Sequence, residues 1–143
     1  MKKFYTPLFF VFFIVIFSSV SFSVVKTKNI TIKGFKFLVE IADDFQKREQ
    51  GLSGRIIKPD EGMLFVLDEV SRPYFWMNGC LEPLDIIWID EKGVVAGIVN
   101  KAPLMKKNKI VLYFPDQPIK YVLELKGGTS KRIGIKKYDK IIF

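Results

Sequence analysis

The sequence predicts a single, mainly β domain of the α+β class: a small β-sandwich or barrel of short, mostly antiparallel strands with two short surface helices. Three observations support this fold class. Apolar residues recur with a period of two, glycine-containing turns separate segments of strand length, and helical signals are confined to two short stretches. Residues 24–143 suffice for one compact domain and are too few for two domains with ordinary cores.

The predicted domain opens with a hairpin followed by a short helix. Apolar side chains alternate over residues 35–41, which is typical of a half-buried strand, and Gly34 supplies the turn from the shorter segment 30–32. Asp43 predicts the N-cap of a helix over residues 45–52. Apolar positions are sparse in this helix, so we expect it to lie on the surface.

Further apolar runs of strand length predict the rest of the sheet, at residues 63–67, 74–77, 85–90, 94–99, 110–114, 121–125 and 140–143. The clearest hairpin joins the third and fourth of these runs, because the loop between them contains Gly93. Thr129 predicts the cap of a second short helix that ends at Gly134.

Residues 1–23 have the order of a secretory signal or an N-terminal membrane anchor. Lys2 and Lys3 precede an apolar stretch of about ten residues, and Ser21-Phe22-Ser23 resembles a cleavage site. The stretch is shorter than the roughly 18 residues of a dedicated membrane span, although the following apolar residues could extend it into an uncleaved anchor. We therefore expect export across the cytoplasmic membrane, as a secreted, periplasmic or anchored protein, with residues 24–143 facing outward.

The chain is basic, with a formal net charge of +8. Its basic residues cluster in two places: Lys106, Lys107 and Lys109, and then Lys131, Arg132, Lys136, Lys137 and Lys140. Such clusters favour anionic lipid or another anionic envelope component, although solvated faces explain them equally well. The recognition motifs of nucleic-acid-binding proteins are absent from the sequence, so we expect no nucleic-acid partner. The alternating strands and a net charge well away from zero predict a monomeric domain.

Histidine is absent from the sequence, and Cys80 is its only cysteine. An intramolecular disulfide, zinc-finger spacing, a Ser-His-Asp triad and a Cys-His pair are therefore excluded. The loop Asp90-Glu91-Lys92-Gly93 lacks the repeated acidic ligands of a calcium loop, and we expect no metal or cofactor. Because no histidine can form the thiolate, Cys80 is interpreted as a small buried hydrophobe in preference to a reactive thiol.

Motifs rich in aromatic, acidic and glycine residues span nearly all of residues 24–143: Gln50-Gly51-Leu52-Ser53-Gly54-Arg55, Asp60-Glu61-Gly62-Met63-Leu64-Phe65-Val66, Phe75-Trp76-Met77, Pro83-Leu84-Asp85-Ile86-Ile87-Trp88-Ile89-Asp90, Tyr121-Val122-Leu123-Glu124-Leu125, Gly128-Thr129 and Gly134-Ile135. In this order they resemble the domain-of-unknown-function family 192. The resemblance implies a compact, mostly β domain, often carried behind a signal or anchor in prokaryotes, and no established activity.

Two positions depart from the pattern of that family. Asn78-Gly79-Cys80 stands where the family usually has Lys-Asn-Thr, which puts any role of the family asparagine in doubt. Tyr138 precedes Asp139 where the family favours glycine. Because a tyrosine resists a positive φ, we expect this last turn to have another geometry.

Six residues beside these motifs are candidate ligand-binding residues: Arg55, Glu61, Arg72, Trp76, Asn78 and Asp85. Asp85 is the most informative, because a carboxylate that begins an apolar strand must be paired, hydrogen-bonded or exposed at a site. Arg55 is its expected counter-charge. The structural alternative is a salt bridge with hydrogen bonds that hold nearby turns in place.

Three classes of function remain open at this point, and the sequence does not decide whether the protein is an enzyme. The leading interpretation is a module that binds a small molecule or an envelope component in a cleft with Trp76 in its wall and charged residues at its mouth. The second is a hydrolase or transferase in which Glu61 and Asp85 act as acid and base. The third is a structural or interaction protein at the membrane surface.

Overall fold

The computed structural model describes residues 24–106 and 109–143, so the signal or anchor predicted for residues 1–23 lies outside the described residues. The described part contains seven strands and two helices: β1 (Thr27–Ile32), β2 (Phe35–Ala42), α1 (Phe45–Gln50), β3 (Glu61–Ser71), β4 (Leu84–Ile89), β5 (Val95–Ala102), β6 (Ile119–Lys126), α2 (Thr129–Ile133) and β7 (Ile141–Ile142). The predicted mainly β class is confirmed. Over these residues, neither helix has the length and apolar character needed to cross a membrane.

The strands form one curled, mixed sheet in the order β5-β4-β6-β3-β2-β1-β7. All neighbouring strands pair antiparallel except β2 and β3, which are parallel. The segment before and within β7 joins the two edges of this sheet. Lys140 forms a bridge with Val94 beside β5, while Ile141 pairs with Ile32 of β1. The curled sheet is a half-barrel whose two edges meet at this bridge, in keeping with the predicted barrel.

Both faces of the central strands β3, β4 and β6 are buried. The inner face carries an apolar cluster to which all seven strands contribute, including Leu64, Ile87 and Leu123. Their neighbours in sequence point the other way, and Phe65 and Trp88 belong to a second cluster on the outer face. Strands buried on both faces have continuous apolar sequences instead of alternating ones, which explains the apolar runs in these three segments.

Irregular connections cover the outer face, and this is where two predicted strands are absent. Residues 74–77 and 110–114 meet only through an isolated bridge between Phe75 and Tyr113. The prediction of a strand at each place is therefore wrong. Their apolar residues are used for packing on the outer face of the sheet and for lining a cleft, without extending the sheet.

Two local predictions also fail. The N-cap of α1 is Asp44, whose Oδ1 accepts a hydrogen bond from the backbone N–H of Lys47 at 2.8 Å, whereas Asp43 forms surface ion pairs. Tyr138 does adopt a positive φ, of 77°. Its N–H donates to the carbonyl of Val95 at 2.8 Å, so the hydrogen bonds that close the half-barrel hold the tyrosine in this conformation.

The two helices differ in their burial. α1 has no buried residue and lies on the surface as predicted. α2, however, buries Thr129, Ser130 and Ile133, and its N-cap is Gly128 and not Thr129. The start of α2 is instead held by a buried carboxylate in β4, described below.

Candidate functional site

A cleft with a volume of about 260 Å³ opens on the outer face, between α1, the turn that follows it and the β3–β4 connection. This volume is close to the lower end of the range for small-molecule sites. Aromatic side chains form much of its wall: Phe45, Phe65, Tyr74, Phe75 and Trp76.

Edge-to-face packing positions this wall. The ring of Phe75 lies 4.9 Å from that of Phe65 and 5.5 Å from that of Trp88, and both pairs are close to perpendicular. Such contacts between aromatic rings add to the free energy gained by burial. They fix the β3–β4 connection on the sheet, and the next residue, Trp76, remains 38% exposed at the cleft.

The opposite side of the cleft depends on a close approach between two turns. The N–H of Gly54 donates to the carbonyl of Gly79 at 2.8 Å. Gly79 has a φ of +67°, and a Cβ atom added to it would lie 2.1 Å from Oγ of Ser53. A side chain at this position would have to displace Oγ of Ser53, and the contact between the turns brings Ser53, Asn78 and Cys80 to the cleft.

The floor of the cleft contains Glu124, in the middle of β6. Its side chain lies on the outer face, between Met63 of β3 and Ile86 of β4, and is only 4% exposed. Over residues 24–106 and 109–143, no hydrogen bond or ion pair reaches its carboxyl group. Burial raises the pKa of this group from 4.5 to about 8. At neutral pH the carboxyl is therefore largely protonated and can donate a hydrogen bond.

Cys80 lies near Glu124 in the wall of the cleft and is half-buried. Burial raises the pKa of its thiol to about 11, and the charge of Glu124 adds to the effect. The thiolate is the nucleophilic form of cysteine, so this raised pKa lowers the reactivity of Cys80 at neutral pH.

Among the six candidate residues from the sequence, Trp76 and Asn78 line the cleft, and the other four lie elsewhere. Arg55 forms two hydrogen bonds with the carboxylate of Glu40, one of them at 2.9 Å. Arg72 donates from Nε to the carbonyl of Pro115 at 3.1 Å.

Glu61 also lies outside the cleft. Lys58 donates to Oε1 of Glu61 at 2.9 Å, and this contact lowers the pKa of the Glu61 carboxyl. Gly62 and Asp85 are both paired with Leu125 of β6, and residues paired directly across neighbouring strands point to the same face. Side chains alternate along a strand, so Glu61, which precedes Gly62, points to the face opposite that of Asp85.

Asp85 is completely buried and is held by backbone donors. Its carboxylate accepts hydrogen bonds from the N–H groups of Lys101, Gly128 and Ser130, at 2.7, 2.8 and 2.6 Å. The expected ion pair with Arg55 is not formed. The carboxylate thus connects β4 to β5 and to the start of α2, as in the structural alternative considered above.

Glu124 is not among the six candidate residues predicted from the sequence. In the described ranges, no group of three or more Cys, Asp and Glu side chains is placed to hold a metal ion. The cleft therefore offers aromatic surface, a buried carboxyl group, and the polar groups of Ser53 and Asn78 as its means of recognition.

The half-barrel places this chain among small, mainly β domains, and comparisons with known proteins agree with this fold. Residues 28–143 match the domain-of-unknown-function family 192, described as "Uncharacterized ACR", and the chain belongs to this family.

Solved structures similar to this chain include the following two. One, described as a "putative transcription regulator" from Sinorhizobium meliloti 1021, is 31% identical, with a TM-score of 0.78 over 84% of this chain and 95% of that chain. The other, a protein of unknown function from Novosphingobium aromaticivorans DSM 12444, is 27% identical, with a TM-score of 0.75 over 83% of this chain and 86% of that chain. No curated protein matches the sequence.

Proposed function

We propose that this protein binds a small organic molecule in the aromatic cleft and that Glu124 is the recognition group at its floor. The observation that carries the proposal is a carboxyl group that is buried in the cleft and lacks a partner in the described residues. The Glu124 side chain is only 4% exposed, so water solvates its carboxyl group poorly, and this partial desolvation raises the free energy of the folded state. A ligand that bonds to Glu124 would offset this cost.

The surroundings of Glu124 support a binding role. Phe75 is held in place by its packing on Phe65 and Trp88, while Trp76 presents a partly exposed ring to the cleft. A largely apolar wall with a few polar groups is typical of small-molecule sites, and a fixed wall needs little reorganisation on binding.

The proposal includes export. Its support is the order of basic, apolar and small residues in the first 23 positions. In this view residues 24–143 bind their ligand outside the cytoplasm, and the N-terminal segment is either removed or retained as an anchor.

The geometry does not favour a hydrolase or transferase that uses Glu61 and Asp85. General acid and base groups must reach the same substrate, whereas these two side chains lie on opposite faces of the sheet. Asp85 is also occupied by three backbone donors.

A thermal-shift screen of the purified protein against small amines, amino acids, sugars and amides tests the proposed function. A molecule that binds only the folded form raises the melting temperature. We expect the shift to be lost in Trp76→Ala and in Glu124→Gln and kept in Tyr138→Ala, which removes an exposed aromatic side chain outside the cleft. A shift that survives in both cleft variants would contradict the proposal.

A further inference from the structure

The ionisable groups of the cleft differ from those of the chain as a whole. The whole chain is strongly basic, yet Glu49 and Glu124 line the cleft together with one basic residue, Arg48. The guanidinium of Arg48 donates to Asp68 at 2.7 Å and to the carbonyl of Val66 at 2.9 Å. Because Asp68 balances the charge of Arg48, the other carboxyl groups of the lining, Glu49 and Glu124, are available to a ligand.

The aromatic wall has the same electrostatic preference. The faces of aromatic rings are electron-rich and attract cations, with tryptophan the most effective. Trp76 and Phe75 follow one another in the wall above the floor that contains Glu124. A cation in the cleft could therefore contact ring faces and a carboxylate at the same time.

From this combination we propose that the ligand is a small organic cation, such as a primary or quaternary ammonium compound. Its charge pairs with the carboxylate of Glu124, and its alkyl groups contact Trp76 and Phe75. The inference rests on the proposed function, since it names the ligand class of the same cleft. The competing occupant is a neutral molecule whose oxygen accepts a hydrogen bond from protonated Glu124.

The two occupants differ in how their affinity depends on pH. A cation binds the ionised carboxylate, and without ligand burial keeps the pKa of Glu124 at about 8. Binding of a cation therefore releases a proton. Below pH 8 the affinity for the cation rises up to about tenfold with each unit of increasing pH, and above pH 8 it levels off. A neutral acceptor needs the protonated carboxyl. Its affinity is nearly constant up to about pH 7, is about halved at pH 8 and falls steadily above that.

The other ionisable groups near Glu124 are few. Tyr74 and Cys80 lie in the β3–β4 connection, and Arg48 and Glu49 lie on α1. β3 and β4 place Met63 and Ile86 directly beside Glu124. Because burial raises the pKa of Cys80 to about 11, its thiol stays protonated from pH 6 to 8. Glu49 is the other carboxylic acid of the lining, and Glu49→Gln is the control for its effect on the pH dependence.

The test uses the full-length protein and compares cations with a neutral molecule of the same shape. Methylammonium, tetramethylammonium, choline and guanidinium are titrated between pH 6 and 9, with 3,3-dimethylbutan-1-ol as the uncharged counterpart of choline. We expect at least one cation to bind about tenfold more tightly at pH 7 than at pH 6, with at most about a twofold further gain above pH 8. The alcohol should bind at least about tenfold more weakly than choline at pH 8.

Variants assign the effect to the cleft. Glu124→Gln should weaken cation binding at least about tenfold and remove its pH dependence, whereas Glu49→Gln should keep that dependence. Trp76→Leu should also weaken binding while leaving Glu124 in place, so the test still holds if Glu124→Gln fails to fold.

Each other outcome overturns the inference. Binding of the alcohol with equal affinity, or affinity that falls above pH 8, would show a neutral ligand and leave the proposed small-molecule function standing. Absence of binding by every cation at about 10 mM overturns the inference as well. The proposed function fails separately, if the wider screen gives no ligand that depends on Trp76 and Glu124.

Discussion

The backbone N–H of Ser130 donates a hydrogen bond to Oδ2 of Asp85 at 2.6 Å, which ties the first turn of α2 to the start of β4. Oδ1 of the same carboxylate accepts from Lys101, a residue of β5 with a positive φ of 49°. The register of β4 and β5 shifts at this place, between Leu84 and Ile86. Asp85 thus supports a β-bulge and a helix start together.

Replacement of Asp85 by asparagine should therefore destabilise the fold. The amide group removes the negative charge and turns an N–H₂ group towards backbone donors, and we expect a loss of about 3 kcal/mol in the free energy of unfolding. Urea denaturation measures it. Glu61→Gln is the control, because Glu61 pairs with Lys58 at the surface and its loss should leave the midpoint unchanged. Equal midpoints for wild type and Asp85→Asn would contradict this assignment.

Glu124 should make stability depend on pH in the direction opposite to that of a paired acid. Its pKa in the folded protein is about 8, against 4.5 in the unfolded chain, so between these values the folded state holds one proton more. The contribution of this extra proton to the free energy of unfolding is complete below pH 4.5 and is lost as the pH rises towards 8. We expect the urea midpoint of the wild type to fall from about pH 5 to pH 8.

Glu124→Gln should remove most of this slope, since the amide does not titrate. Asp43, whose pKa is lowered to about 2 by Lys47 and Lys26, titrates below the window and does not interfere. Glu61→Gln should keep the slope of the wild type. A wild-type midpoint that is constant from pH 5 to 8 would show that the Glu124 carboxyl is not desolvated in solution.

Cys80 should react slowly with thiol reagents while the protein is folded. Burial raises the pKa of the thiol from 9.0 to about 11, so at pH 8 the fraction present as thiolate falls about a hundredfold relative to the unfolded chain. Labelling followed by mass spectrometry, with and without urea, measures the two rates. Glu124→Gln should leave most of the protection, because burial is the larger cause. Equal labelling rates with and without urea would refute the prediction.

Gly79→Ala and Gly54→Ala form a matched pair of substitutions. Both glycines have positive φ, +67° and +71°, so alanine costs about 1 kcal/mol at each on conformational grounds. Only at Gly79 would the new Cβ collide with Ser53, while the space around Gly54 is open. We expect a clearly larger drop in melting temperature for Gly79→Ala.

Removal of the Ser53 hydroxyl group tests the cause of that difference. Ser53→Ala in the Gly79→Ala background should restore part of the melting temperature, and in the Gly54→Ala background it should restore none. The same melting temperature for Gly79→Ala and Gly54→Ala would show that the contact between the two turns is not close in solution.

The sequence predicts the central strands well and their pairing poorly. The apolar runs of β3, β4 and β6 indicate strands because their residues are buried on both faces of the sheet. The parallel pairing of β2 with β3, in contrast, is a long-range property that no local pattern contains. The apolar runs at residues 74–77 and 110–114 look the same as core strands in sequence, although they cover the sheet from outside.

Glu124 shows most clearly why the site was not predicted. Lys120, Glu124 and Lys126 share one face of β6 by the alternation of side chains, and this pattern indicates a face exposed to water. Burial comes from connections distant in sequence, which contribute Leu52, Phe75 and Cys80 to the same cleft. Trp76 and Asn78 could be selected because they adjoin a recognisable motif.

The central position of β6 also determines when this protein can fold. β6 lies between β3 and β4 in the sheet, although it follows both of them, and β5, in sequence. A nascent chain extended only to residue 118 would hold two unconnected pieces, β1 to β3 and the β4–β5 hairpin. Such non-local pairing is expected to fold on the scale of milliseconds to seconds. Because β6 is made last of the central strands, the sheet cannot be completed until late in synthesis, and under the proposed export the chain would reach a translocation pore before it has folded.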